Sequence, residues 1–137
     1  GIVGTKGSLD RPTSWQTRNV PNIESIYSER IRKVDKLLAE LRSDIKILLM
    51  HYAPTYKTLK GENTAIYPLL GSKRFEEVII KRKPHVVIHA HSHNGTKFAQ
   101  IEGVPIYNVS LPLTKRICVI KVGGPRGLEA FFGGKTS

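Results

Sequence analysis

The apolar positions change their period several times along the chain, and each change marks an element. GIVGTKGS, residues 1–8, sets a short apolar run among three glycines and reads as a strand opening into a turn-rich loop that continues through LDRPTSWQTRNVPN. Then Ile23, Ile26, Tyr27, Ile31, Val34, Leu37, Leu38 and Leu41 recur at three- and four-residue intervals. That spacing gathers them on one face of a long amphipathic helix, with Asn22 as its N-cap after Pro21. IKILLM is a continuous apolar run too short for a helix, and so reads as a strand covered on both faces that ends at His51. Thr55 to Gly71 reads as a long polar-aromatic loop, with an exposed connector as its ordinary role. SKRFEEVIIKRK returns to helical spacing, with Phe75, Val78 and Ile79 on one face and Pro84 as its stop. HVVIHA is a second buried-type strand. TKFAQI, VPIYNVSL, RICVIKV and LEAFF follow as short β-rich runs between turn signals, a pattern that predicts antiparallel strands.

The sum is strand–helix–strand–helix–strand followed by antiparallel strands. That is an α/β class with helices packed on a sheet, in a single domain over residues 1–137. Composition agrees: 39% hydrophobic and 24% charged residues describe a folded, cored chain and exclude a disordered tail. No apolar run approaches the ~20 residues of a membrane-spanning helix, so no membrane partner is expected. Cys118 is the only cysteine and lies in the apolar run ICVIKV, which predicts a small buried thiol and a reducing, cytoplasmic setting. It also excludes a zinc site built on thiolates, so a metal here would need His, Asp, Glu or Asn. The net charge of +11 favours an anionic substrate. Nucleic acid as a partner rests on that charge alone, since no basic block is interleaved with aromatics.

Histidine placement carries the chemistry. PHVVIHAHSHNG, residues 84–95, holds four of the five histidines, and the fifth, His51, closes the preceding apolar strand. Ligands of α/β sheets bind beyond the carboxyl ends of the strands. A right-handed crossover through the second helix would make the two strands parallel neighbours, so His51, His91 and His93 would share one crevice. Neutral imidazole is a common ligand for zinc, iron, manganese or nickel, and a cluster of imidazoles is costly unless partnered. His85, at a strand start, reads as structural. His89, inside the strand, reads as a packed residue or one that orients a ligand by hydrogen bonding.

HYAPT, followed some forty residues later by VVIHAHSHNG, resembles the last two motifs of the calcineurin-like metallophosphoesterase superfamily: a strand-end His and a G-H-x-H. Here the second reads Ala90-His91-Ser92-His93, and Ala in place of Gly requires a backbone that avoids positive φ at that position. GIVGTKGS looks like the strand after the family's third motif. The resemblance implies the C-terminal half of a layered α/β/β/α sandwich and a partial metallophosphoesterase domain. It also implies hydrolysis of a phosphomono- or diester at two divalent ions, with His51 and His91 on one and His93 on the other. Tyr52, His89 and Asn94 would support the site or face the substrate, and Tyr56 and Lys57 would shape access to it.

The family's first three motifs, D-x-H, G-D and G-N-H, do not occur: Asp10 is followed by Arg-Pro, Asp35 by Lys-Leu and Asp44 by Ile-Lys. Three neutral imidazoles without a bridging carboxylate leave two adjacent cations to repel. No catalytic residue is therefore identifiable in the chain, and activity alone is not expected of it. A second chain carrying the acidic motifs is one partner this implies. The alternative is a non-catalytic, protein-binding scaffold on the same fold.

Overall fold

The computed structural model describes residues 1–123. Five strands form one mixed sheet in the order β1-β2-β3-β5-β4. They are β1 (Ile2–Thr5), β2 (Ile47–Met50), β3 (Val86–His89), β4 (Phe98–Ile101) and β5 (Val104–Asn108). The helices are α1 (Ser14–Asn19), α2 (Ile23–Glu40), α3 (Arg74–Arg82) and α4 (Leu111–Thr114). β1, β2, β3 and β5 run parallel, and only β4 runs against its neighbour.

The α/β class is thus observed, and the central helix and strands lie where the apolar periods put them. α2 buries Tyr27, Ile31, Val34 and Leu38, and α3 buries Phe75, Val78 and Ile79. The crossovers β1-α2-β2 and β2-α3-β3 advance in the same direction, so right-handed connections put both helices on one face. There they pack on the sheet row Val3, Leu48, Val87 and Ile106 to make the main core. Arg82 Nε donates to Asp35 Oδ1 at 2.6 Å and ties α3 to α2 at the rim.

The ladder row on the other face is Gly4, Leu49, Ile88, Tyr107 and Phe98. Leu49 is 47% exposed and Ile2, nearby at the edge, 64%. The strand IKILLM is therefore covered on one face only among the described residues, and those residues form one sheet rather than two.

The later strands correct the expected antiparallel series. TKFAQI and VPIYNVSL form a hairpin, closed by Glu102 and Gly103, both at positive φ as a two-residue type I′ turn requires. Its second strand enters the sheet parallel to β3, between β3 and β4. Pro105, which lacks an N–H, is tolerated because the β3 ladder begins only at Ile106. RICVIKV is not a strand: it joins no ladder of the described residues, and Ile117 and Val119 are exposed. Cys118 is half-buried rather than buried. The expected strand LEAFF lies outside the described residues.

Three local readings also change. The 9–22 loop contains α1, started by a capping box in which Thr13 and Gln16 exchange hydrogen bonds. α1 buries no residue, so it left no apolar period to read. Asn22 is the residue before α2, but it sits in the left-handed region and makes no side-chain cap bond. Residues 55–71 are not an exposed connector: they hold short 3-10 turns at Lys57–Leu59 and Thr64–Leu69, with Thr55, Thr58 and Leu59 fully buried.

The two sheet faces should respond differently to truncation. Phe75→Ala, in the helix-covered core, should cost about 3–5 kcal/mol, whereas Leu49→Ala on the open face should cost less than ~1 kcal/mol. Urea unfolding followed by circular dichroism checks both values.

Candidate metal-binding site

β1, β2, β3 and β5 all end at the same edge of the sheet, and there the backbone pairing runs slightly beyond the strands. Tyr52 N–H donates to Lys6 O at 3.0 Å and Ala90 N–H to His51 O at 3.2 Å. These bonds fix the segments that follow each strand, so His51 and His91 meet with ring centroids 4.9 Å apart. Two imidazoles on one tetrahedral ion at ~2.0–2.1 Å stand with centroids roughly 5 Å apart, so the pair has a spacing that fits a shared cation. Tyr52 is buried behind both, 5.3 Å from the His51 ring and 4.9 Å from the His91 ring. Lys6 Nζ lies 5.7 Å from the centre of the Tyr52 ring.

His93 projects from the same loop but is exposed, and its electrostatic neighbours are His91 and Glu62. Among the described residues no three His, Cys, Asp or Glu side chains converge closely enough to hold an ion. The structure brings together His51 and His91 and leaves His93 beside them.

The loop geometry is unusual at one position. His91 has φ +69°, in the left-handed region, which costs a non-glycine residue of order 1–3 kcal/mol. Ala90 is not at positive φ, so alanine is accommodated where the G-H-x-H pattern it resembles has glycine. The strained turn is held from below by a buried polar group. Ser92 O accepts from Asn108 Nδ2 at 2.9 Å and from Ser110 Oγ at 2.7 Å. Asn108 is opposite His89 in the ladder, so β5 supplies this support directly.

His89 is fully buried and does not face the crevice. Its Nδ1 lies 2.8 Å from Ala90 O, which can only accept, so the proton is on Nδ1 and Nε2 accepts from Thr58 Oγ1 at 2.8 Å. Burial, aided by the nearby His91 and His51, drives its pKa down to about 4. Burial and the neighbouring His51 and His93 also hold His91 below the usual imidazole range. Both rings are thereby kept neutral, the form that ligates metals. His85 Nδ1 accepts from Lys46 N–H at 3.2 Å, a structural role.

Other expected contributors are committed elsewhere. Asn94 turns its backbone N–H and side-chain amide toward Glu62. Tyr56 OH donates to Asp10 Oδ2 at 2.7 Å, and Lys57 Nζ to Gln100 O at 3.2 Å. Asp10 also accepts from Ser72 Oγ at 2.6 Å and Lys73 N–H at 3.1 Å, so it fastens the start of α3.

Glu62, Thr58, Asn108 and Ser110 lie outside both histidine motifs, and Ser92 stands at the variable position of the second. The traceable signal was glycine. A Cβ on Gly61 would strike Asn94 O, and one on Gly95 would strike Thr58 O and Ser92 Oγ. The 55–71 and 91–96 loops therefore approach backbone to backbone. Burial tends to raise Glu62, but bonds from Asn94 N–H, the Ser92 hydroxyl and the Asn94 amide outweigh it and hold the carboxyl below its usual value.

No protein-family model, curated protein or solved structure matches the chain.

The buried imidazole makes stability pH-dependent. His89 titrates near 6.5 when unfolded and at about 4 when folded, so the unfolded chain binds more protons between those values. Stability is complete above pH 6.5 and is lost as pH falls toward 4, by roughly 3 kcal/mol if the full shift is realised. Urea midpoints at pH 7.5 and 4.5 should show this loss, and His89→Gln should flatten most of it.

Proposed function

We propose that the chain is the C-terminal portion of a metal-dependent phosphoesterase of the calcineurin-like superfamily. In this reading it supplies the histidine side of a metal centre that cleaves a phosphomono- or diester. One observation carries the reading: His51 and His91, from the ends of adjacent parallel strands, stand with rings 4.9 Å apart on a turn held in a strained conformation. Parallel strand ends, a His91 imidazole held neutral by burial, a small residue at position 90 and the H-x-H order support it together.

His51 and His91 would hold one divalent ion and His93 would contribute to a second. Such ions polarise the phosphoryl group and supply hydroxide at neutral pH. The chain's own residues orient and charge the site. Tyr52 backs the two imidazoles, buried His89 keeps the loop base neutral and dry, and Lys6 and the net charge of +11 draw an anionic ester. The acidic ligands and the acid for the leaving group would come from a D-x-H, G-D and G-N-H segment, upstream or on a second chain. Without them residues 1–137 should bind metal weakly and turn over no ester.

The open sheet face favours a second reading, a non-catalytic scaffold. On it Ile2 and Leu49 are exposed, as a surface for another protein would be. His91→Ala separates the two, since partner binding through that face would survive it.

Cobalt(II) titration followed by visible absorption tests the main reading. The chain should bind Co²⁺, with His51→Ala and His91→Ala each weakening binding at least tenfold. Equal affinity in wild type and His91→Ala would sink it.

A further inference from the structure

We propose that Glu62 is a positioning residue for the histidine loop, setting His91 and His93 for metal by gripping the residues between and after them. The inference rests on the metal-centre reading above and adds a member that the two histidine motifs do not contain.

The geometry is specific. Glu62 Oε1 accepts from the Ser92 hydroxyl at 3.0 Å and from the Asn94 N–H at 2.8 Å, and Oε2 lies 3.4 Å from Asn94 Nδ2. In the sequence His91-Ser92-His93-Asn94 the carboxylate thus holds the second and fourth residues. The first and third, the two histidines, make no hydrogen bond to it but feel its charge. Ser92 is fully buried and is also held from the opposite side, where its carbonyl accepts from Asn108 and Ser110. A residue gripped from both sides cannot rotate, and this over-determination keeps His91 at φ +69°.

The remaining contacts show why a charged acceptor is used. The same two loops are joined by Thr96 N–H to Thr58 O at 2.9 Å and by Thr96 Oγ1 to Lys60 O at 2.9 Å. Those bonds already close the loops, so Glu62 is not needed merely to join them. It is the one ionised group among these contacts, and it lies beside His93. Bonds to an ionised acceptor are stronger than neutral ones, and partners that orient metal ligands commonly set metal affinity by 10- to 100-fold. A negative charge there also offsets part of the repulsion that a cation at His93 would feel from one at His51 and His91.

The test compares Co²⁺ affinity in the full chain and in Glu62→Gln and Thr96→Ala. Glu62→Gln keeps size and an acceptor oxygen but loses the charge; Thr96→Ala removes a tie between the same loops that touches no histidine. Glu62→Gln should weaken Co²⁺ binding at least tenfold and shift the visible bands, with its melting temperature near wild type, while Thr96→Ala should leave affinity unchanged. Wild-type affinity in Glu62→Gln overturns the proposal, as does an equal loss in Thr96→Ala, which would mark a tie of general stability. A wild-type chain that binds no Co²⁺ instead overturns the metal-centre reading. Glu62 is then decided on the metal-free chain, by amide hydrogen exchange. At least tenfold faster exchange at Asn94 in Glu62→Gln upholds its grip on the loop, and unchanged exchange overturns it.

Discussion

The meeting of His51 and His91 depends on the parallel pairing of β2 with β3. A parallel pair must be joined by a crossover, and the crossover's hand is fixed by the twist of the strands. α3 is that crossover, and its burial of Phe75, Val78 and Ile79 holds the two strands side by side. Both strands then end at the same edge, which brings the rings of residues forty positions apart to 4.9 Å. Had the chain returned as a hairpin, His51 and His91 would lie at opposite ends of the sheet.

The second constraint is that polar groups at that edge are buried. His89, Ser92, Asn108 and Ser110 are all nearly inaccessible, and no buried side-chain nitrogen or oxygen of the described residues lacks a partner. A filled network in a dry place is rigid, because each member left unpaired would cost a desolvation penalty. The strained turn at His91 draws on that rigidity. The geometry of the histidine loop and the stability of the sheet edge are consequently held in the same few bonds.

The sequence displayed the parts of the fold that depend on apolar period: α2, α3 and the strands β1, β2 and β3, the last two of which run into the histidines. It displayed the pair His51 and His91 because strand ends in α/β sheets converge. It did not display α1, whose capping box buries nothing, or the insertion of β5 beside β3, which depends on where the hairpin docks and not on its own residues. RICVIKV has a strand's composition but no ladder in the described structure, since β propensity expresses a fit to neighbours. Glu62 was invisible for a related reason: its partners come from a loop thirty residues away, and only the crowded glycines Gly61 and Gly95 hinted at the meeting.

The extended segment after α4 has a colloidal consequence. Ile117 is 90% exposed and Val119 68%, in a β-branched run whose backbone joins no ladder of the described residues. Such a run is a template for sticking to another copy. Lys115, Arg116 and Lys121 punctuate it, and the chain's +11 charge adds mutual repulsion. Electrostatics is thus the guard, and it is one that salt removes: the screening length shrinks from about 10 Å at 0.1 M to about 3 Å at 1 M. The molecule should be best dispersed in dilute buffer and grow sticky in brine, the reverse of a protein that clumps through opposite charges.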